Sequence, residues 1–323
     1  MSAALPAALR ACGVDVKVLL PGYPRALAGA AGALEAARVR EIGFDARILD
    51  SGAFLLLDCP ALYRREGGPY QDAGNRDWPD NALRFGLLSK VAARLGGAGS
   101  PLAWRPDVVH LNDWPAALAA AYLHLGPGER AATLLTVHNL AFQGNFAAAL
   151  LARLELPAAS FTLDGLEFHG QLSFLKAGLA YADAISTVSP RYAREIQGEA
   201  LGCGLDGLLR HRRQALSGIL NGIDTEAWDP ARDPHLVARY DATRLERKAA
   251  NKAALQRRMG LDADAGVPLA GTVGRLTHQK GTDLLIEAAE SLVALPMQLA
   301  VLGTGAPEHE AALHALAARH RGK

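Results

Sequence analysis

The sequence predicts an α/β fold built on parallel sheets and divided into two domains. Three observations carry that reading. Short apolar strands alternate with amphipathic helices, the pattern of parallel strands covered by helices on both faces. Near residue 240 the texture changes to a charged stretch, RLERKAANKAALQRRM, after which a fresh βαβα run begins. The length of 323 residues is enough for two cores of ordinary size.

Residues 1–13, MSAALPAALRACG, read as the last turns of a helix closed by Gly13, and the strand 14–20 follows at once. Further strands are expected at 54–58, 108–111, 134–137, 184–188 and 219–220. Leucine, alanine and aromatic residues at helical spacing mark helices near 80–95, 115–125, 171–182, 189–197 and 204–213. Asp80 and Ser189 are the expected N-caps, with Pro190 at the first helical position. The charged helix spans 241–259 and ends at Gly260, and a loop through Gly266 and Pro268 leads into the second domain. There the order is strand 269–273, helix 282–293, strand 297–302 and helix 307–319. The domains are therefore expected at 1–240 and 241–323. A strand should precede the opening helix of a βαβ unit, and two strands are few for a sheet covered on both faces. On that ground the sequence reads as a chain cut at both ends, with the first strand missing and the second domain incomplete.

Half the residues are hydrophobic and 21% are charged, a globular composition. A formal net charge of +1 and the lack of a basic run argue against nucleic acid as a partner. No apolar stretch reaches membrane-span length, and Met1-Ser2-Ala3-Ala4 has neither the charged nor the apolar region of a secretory signal. Cys12, Cys59 and Cys203 are odd in number and far apart, as in a reducing cytoplasm, and all three are expected to be buried thiols.

Three places hold chemistry. Gly274-Arg275-Leu276-Thr277-His278-Gln279-Lys280-Gly281 lies between an apolar strand and a helix. Free N–H groups at a helix start, together with the Arg275 and Lys280 cations, suit a diphosphate, and Gly281 permits close backbone approach. Position alone leaves open that both cations are solvated loop residues. In Thr136-Val137-His138-Asn139-Leu140 a strand runs straight into two polar residues, and ligands of open α/β sheets bind beyond the carboxyl ends of strands. His110-Leu111-Asn112-Asp113-Trp114 repeats the arrangement, with Asp113 equally readable as the N-cap of the next helix. Asn221-Gly222-Ile223-Asp224 contains a hairpin-turn signal, and Gly303-Thr304-Gly305 is half a dinucleotide fingerprint without its third glycine, so an NAD site is rejected. No HExxH, cysteine pair or acidic calcium loop points to a metal.

The succession RPDVVHLNDW (105–114), TVHNLAFQG (136–144), LEFHGQLSFLKAGLAYADAISTVSPRYAREI (166–196), GILNGIDTEAWDP (218–230) and GRLTHQKGTDLL (274–285) resembles the bacterial glycogen synthase and plant starch synthase family. The motifs stand in the family's order and spacing, and the likeness covers essentially the whole chain. It implies two Rossmann-like domains facing across a cleft, the GT-B arrangement. It also implies a cytoplasmic glycosyltransferase that moves glucose from ADP-glucose, with retention, to the non-reducing end of an α-1,4-glucan such as glycogen. No cofactor and no metal are implied, since two cations meet the diphosphate. By position in the matching motifs, Arg275 and Lys280 would bind the donor phosphates, His138 would lie beside the donor glucose with Asn139 next to it, and Asp113 close to the sugar. Asn221 would line the glucan side, and Gly303 and Gly305 would pack on the nucleotide.

The chain departs from the family pattern in three places. The family's K-x-GGL loop has no counterpart ahead of residue 14, and the acidic residue and glycine-rich segment of its second domain have none before Lys323. Pro115 stands where relatives often have histidine. The expectation is a chain with little or no turnover by itself. Two rival readings remain, a related transferase using UDP-glucose and a glucan-binding chain without catalysis.

Overall fold

A computed structural model describes residues 4–72, 74 and 76–323; the expected opening helix is present at Leu5–Ala11, and Met1, Ser2 and Ala3, which open the stretch read as lacking a secretory signal, lie outside the described residues. The protein is α/β with parallel strand pairs, as the alternation predicts. Packing divides it into two compact units, 1–222 and 223–323, so the division falls ahead of the boundary at 240 read from the sequence.

The first unit opens with strands β1 (Val18–Pro21), β2 (Leu34–Glu41), β3 (Phe44–Asp50) and β4 (Phe54–Asp58), in the order β1-β4-β3-β2. Only β1 and β4 run parallel; β4, β3 and β2 pair antiparallel. The β2–β3 hairpin is absent from the sequence reading. Its two-residue turn is Ile42-Gly43, with both φ values positive (45° and 83°), where the usual signal is Asn-Gly. A β-branched residue in that region costs about 1–2 kcal/mol. Burying the Ile42 side chain to 4% exposure returns about 1.5–3 kcal/mol, so burial wins.

The remaining strands of this unit are β5 (Val108–Asn112), β6 (Ala132–Val137), β7 (Asn145–Ala147), β8 (Glu167–Phe168), β9 (Gln171–Ser173), β10 (Ala184–Thr187) and β11 (Leu216–Gly218). Four of them form an all-parallel sheet in the order β11-β10-β6-β5. The other three make a small antiparallel sheet, β7-β9-β8, with His169-Gly170 as a second turn of positive φ. That sheet corrects the helix expected at 171–182. Residues 171–173 pair as a strand, and the helix Phe174–Tyr181 starts only where Ser173 Oγ accepts the Lys176 N–H.

Helices Asn81–Gly96, Asp113–Leu125 and Phe174–Tyr181 pack together over one core that runs from Val39 to Leu209. Ala117, Ala119, Ala120 and Ala121 are fully buried, and such small side chains let the neighbouring helices approach closely. Ser189 caps its helix as expected, accepting the Tyr192 N–H at 2.9 Å. Asp80 does not cap; its carboxylate is taken by the Arg65 guanidinium at 2.8 Å. Of the cysteines only Cys59 is buried, while Cys12 and Cys203 are exposed, against expectation.

In the second unit a 3₁₀ turn, Leu245–Arg247, leads into the helix Lys248–Met259. Strands β12 (Leu269–Val273) and β13 (Gln298–Leu302) pair in parallel, and helices Thr282–Val293 and Pro307–Arg319 follow them. Gln256 and Gln298, both buried, satisfy each other through a 2.7 Å amide hydrogen bond. No helix among the described residues is long and apolar enough to cross a membrane.

Candidate functional site at the carboxyl ends of β5 and β6

Strands β5 and β6 are parallel neighbours with Asn112 opposite Thr136, so residues 112–114 and 138–140 leave the sheet side by side. Asp113 is not the cap of its helix. Asn112 occupies that position, and Asp113 enters the first turn with φ at 52°, a strained value for a residue with a Cβ. Its Oδ1 instead accepts the His138 N–H at 2.7 Å and lies 3.5 Å from the Asn139 nitrogen. Burial pushes the Asp113 carboxyl above its usual range, with the His138 N–H holding it back.

The imidazole of His138 lies with Nε2 3.0 Å from Asn112 Oδ1. Below it, His110 Nε2 meets Thr136 Oγ1 at 2.6 Å, and Thr136 Oγ1 meets Ser186 Oγ at the same distance. Burial pushes the His110 imidazole below its ordinary value, and the neighbouring His138 adds to the shift. Asn139 turns its own side chain back, Oδ1 accepting the Ala141 N–H at 3.0 Å, while the Tyr192 hydroxyl accepts the Leu140 N–H at 3.2 Å. Trp114 is wedged among Tyr70, Phe85, Phe146 and Phe174 at centroid distances of 4.7 to 6.4 Å. Tyr70 reaches the same corner: burial, and then the Asp113 charge, raise its phenol pKa.

The expected residues of the first unit thus converge: Asp113, His138 and Asn139 share one strand edge and one hydrogen-bond network. Asn112 belongs to that network as well, while His110 and Tyr70 stand beside it, His110 bonded to Thr136 and Tyr70 packed on Trp114. The first two stood inside a quoted motif, but nothing in the sequence singled them out from Asp113. Asn221 follows β11, exposed, on a stretch without regular structure, so its Asn-Gly pair does not make the hairpin its sequence allows. Lys176 of the FLKAGL segment is buried, its ammonium held by the Leu163 and Glu167 carbonyls, which makes it a brace for the β7-β9-β8 region.

In the second unit Arg275 and Lys280 follow β12 and are exposed. Between them Leu276 is buried, and a 3₁₀ turn, His278–Lys280, with Gly281 at φ 71°, opens the helix Thr282–Val293. His278 Nδ1 lies 2.6 Å from Asp283 Oδ2; against the opposing effect of burial, the helix-start N–H groups and then His278 hold that carboxyl below its ordinary value. Gly303 and Gly305 have a packing reason inside this unit. A Cβ on them would come within 2.0 Å of Gly274 O and 2.2 Å of Leu276 O. The loop after β13 is laid on the loop after β12 by Leu276 N–H donating to Thr304 O and Ala306 N–H donating to Leu276 O, both at 2.9 Å.

A family model described as the starch synthase catalytic domain matches residues 1–211. The glycogen synthase of Nitrosomonas eutropha is 53% identical over 98% of this chain and 65% of its own length. That of Dechloromonas aromatica is 56% identical over 99% of this chain and 67% of its own. The chain thus spans about two thirds of the length of these relatives. Among solved structures, the catalytic domain of starch synthase IV from Arabidopsis thaliana, bound to ADP and acarbose, superposes with a TM-score of 0.85. It is 26% identical and covers 99% of this chain and 68% of that one.

Proposed function

The chain belongs to the starch synthase catalytic domain family, and from that premise we propose that its residues serve glucosyl transfer from ADP-glucose to the non-reducing end of an α-1,4-glucan in the cytoplasm, with little or no turnover by this chain alone. The observation that carries the reading is the joined strand ends of β5 and β6. Asp113, His138 and Asn139 form one partly buried polar edge where an open α/β sheet takes its ligand. The solved relative holds ADP and acarbose, which supports an adenine nucleotide and a glucan-like partner here.

In this reading the glucose of the donor meets His138 and Asp113. A partly buried carboxyl at this edge suits a group that hydrogen-bonds sugar hydroxyls. Arg275 and Lys280 take the diphosphate, whose negative charge grows as the bond to the sugar breaks. Two exposed cations at a helix start supply that stabilisation. Asn221 serves the glucan side. Gly303 and Gly305 act by holding the loop of Arg275 in place, with the nucleotide packing on that paired loop.

The test is binding of ADP-glucose and transfer of its radiolabel into glycogen, with UDP-glucose as the competing donor. Binding of ADP-glucose with at most weak labelling of α-1,4-linked chain ends supports the reading. Binding or label from UDP-glucose alone overturns the donor, and retention on immobilised glycogen with no binding of either donor leaves a glucan-binding chain.

A further inference from the structure

Two consecutive residues of one strand end hold His138 at its two ends. Asp113 Oδ1 accepts its main-chain N–H at 2.7 Å, and Asn112 Oδ1 lies 3.0 Å from its ring Nε2. Both contacts follow from the β5/β6 register, which sets Asn112 opposite Thr136. An amide oxygen carries no proton, so a hydrogen bond across that 3.0 Å needs the proton on Nε2. We propose that Asn112 is a positioning residue that fixes His138 as the neutral Nε2–H tautomer, leaving Nδ1 as a lone-pair acceptor.

The surroundings leave this role to Asn112. The nearby carboxylate of Asp113 turns its Oδ1 to main-chain N–H groups and makes no hydrogen bond to the His138 ring, and the second imidazole, His110, is engaged by Thr136 Oγ1. Among the described residues Nδ1 of His138 has no hydrogen-bond partner, so its tautomer decides what the site can accept. A lone pair on Nδ1 accepts a hydrogen bond from a ligand hydroxyl and repels phosphate and carbonyl oxygens; an Nδ1–H would do the reverse. That the hydroxyl belongs to a sugar rests on the glucosyl-transfer reading, whereas the tautomer itself does not.

The experiment is a long-range proton–nitrogen correlation spectrum of the full chain labelled with ¹⁵N-histidine, at a pH where the ring is neutral and without donor or glucan. His138 is assigned by its loss in His138→Gln. The wild type should show a pyrrole-like Nε2 and a pyridine-like Nδ1. Asn112→Leu keeps the side-chain size and removes the acceptor, so both tautomers should be populated. Asn112→Asp keeps an acceptor oxygen and should keep the proton on Nε2. A pyridine-like Nε2 in the wild type overturns the proposal, as does an unchanged pattern in a folded Asn112→Leu chain. If Asn112→Leu does not fold, the wild-type and Asn112→Asp spectra decide. No substrate is present, so this result and the transfer assay fail independently.

Discussion

Replacing Gly144 by alanine should damage the candidate site through Trp114. Gly144 closes the TVHNLAFQG motif with φ at 61°, a region where a Cβ costs about 1–2 kcal/mol. The added Cβ would also stand 2.4 Å from Trp114 Cε3 and 2.8 Å from Cδ2. The indole cannot swing away, because Phe85 packs edge-on at 4.7 Å and Tyr70, Phe146 and Phe174 close the other sides. Forced overlap in a packed core costs about 1–3 kcal/mol. Against both stands the reduced freedom of the unfolded chain, about 0.4–1 kcal/mol. Gly170→Ala is the control: its φ is 77°, and a Cβ there meets nothing within 4 Å, so it shares the strain and the offset but not the clash. The expected difference between the two variants is therefore the clash alone, about 1–3 kcal/mol. The assay is urea unfolding followed by near-ultraviolet circular dichroism, where Trp78, Trp104 and Trp114 report the first unit. Because Trp114 is bonded to Asp113, faster exchange of the His138 amide proton should accompany the loss. Equal costs for Gly144→Ala and Gly170→Ala would refute the reasoning.

Three further outcomes are expected. Arg275→Ala and Lys280→Ala should each weaken ADP-glucose binding by about 10- to 100-fold, the loss of one charge-assisted contact, with no change in melting temperature since both side chains are exposed; unaltered calorimetric affinity in both would make them solvated loop cations. Asp183 binds Arg130 with both oxygens and accepts the Thr133 N–H and hydroxyl, tying the start of β10 to β6, and Arg130 holds its carboxyl well below the usual range. A lowered carboxyl pKa stabilises the fold above the unfolded value and is lost as pH falls through the folded one. Asp183→Asn, discounted for partial exposure, should thus cost about 1–2 kcal/mol at pH 7 and progressively less below about pH 4, read from urea midpoints across pH. Gly305→Ala should destabilise the second unit and leave the first unit's transition in place, because its Cβ would strike the Leu276 backbone; hydrogen exchange resolved by unit checks this.

Helices and parallel strands with strong periodicity were legible: Phe54–Asp58, Leu269–Val273, Thr282–Val293 and Pro307–Arg319 match the sequence reading residue for residue, whereas the strand read at 219–220 lies at Leu216–Gly218 and the charged helix read from 241 starts at Lys248. What was hidden was antiparallel structure with unusual turns. Ile42-Gly43 and His169-Gly170 put non-glycine residues at positive φ, so no Asn-Gly signal marks either hairpin. Capping was legible at Ser189 and misleading at Asp80 and Asp113, where a guanidinium and a neighbouring strand's N–H groups compete for the carboxylate. The site residues were legible as strand ends. Their connections were not, because the bond from Asn112 to the His138 ring depends on the β5/β6 register, which no single motif contains.

The most direct test follows the His138 and Asn139 resonances of the chain while ADP-glucose is added, with ADP alone as the comparison and calorimetry to show that each ligand binds. Both resonances should move with ADP-glucose and stay nearly still with ADP, since the sugar is the part that meets this strand edge. ADP-glucose that binds by calorimetry yet leaves His138 and Asn139 unmoved would contradict the placement of the donor glucose at the ends of β5 and β6.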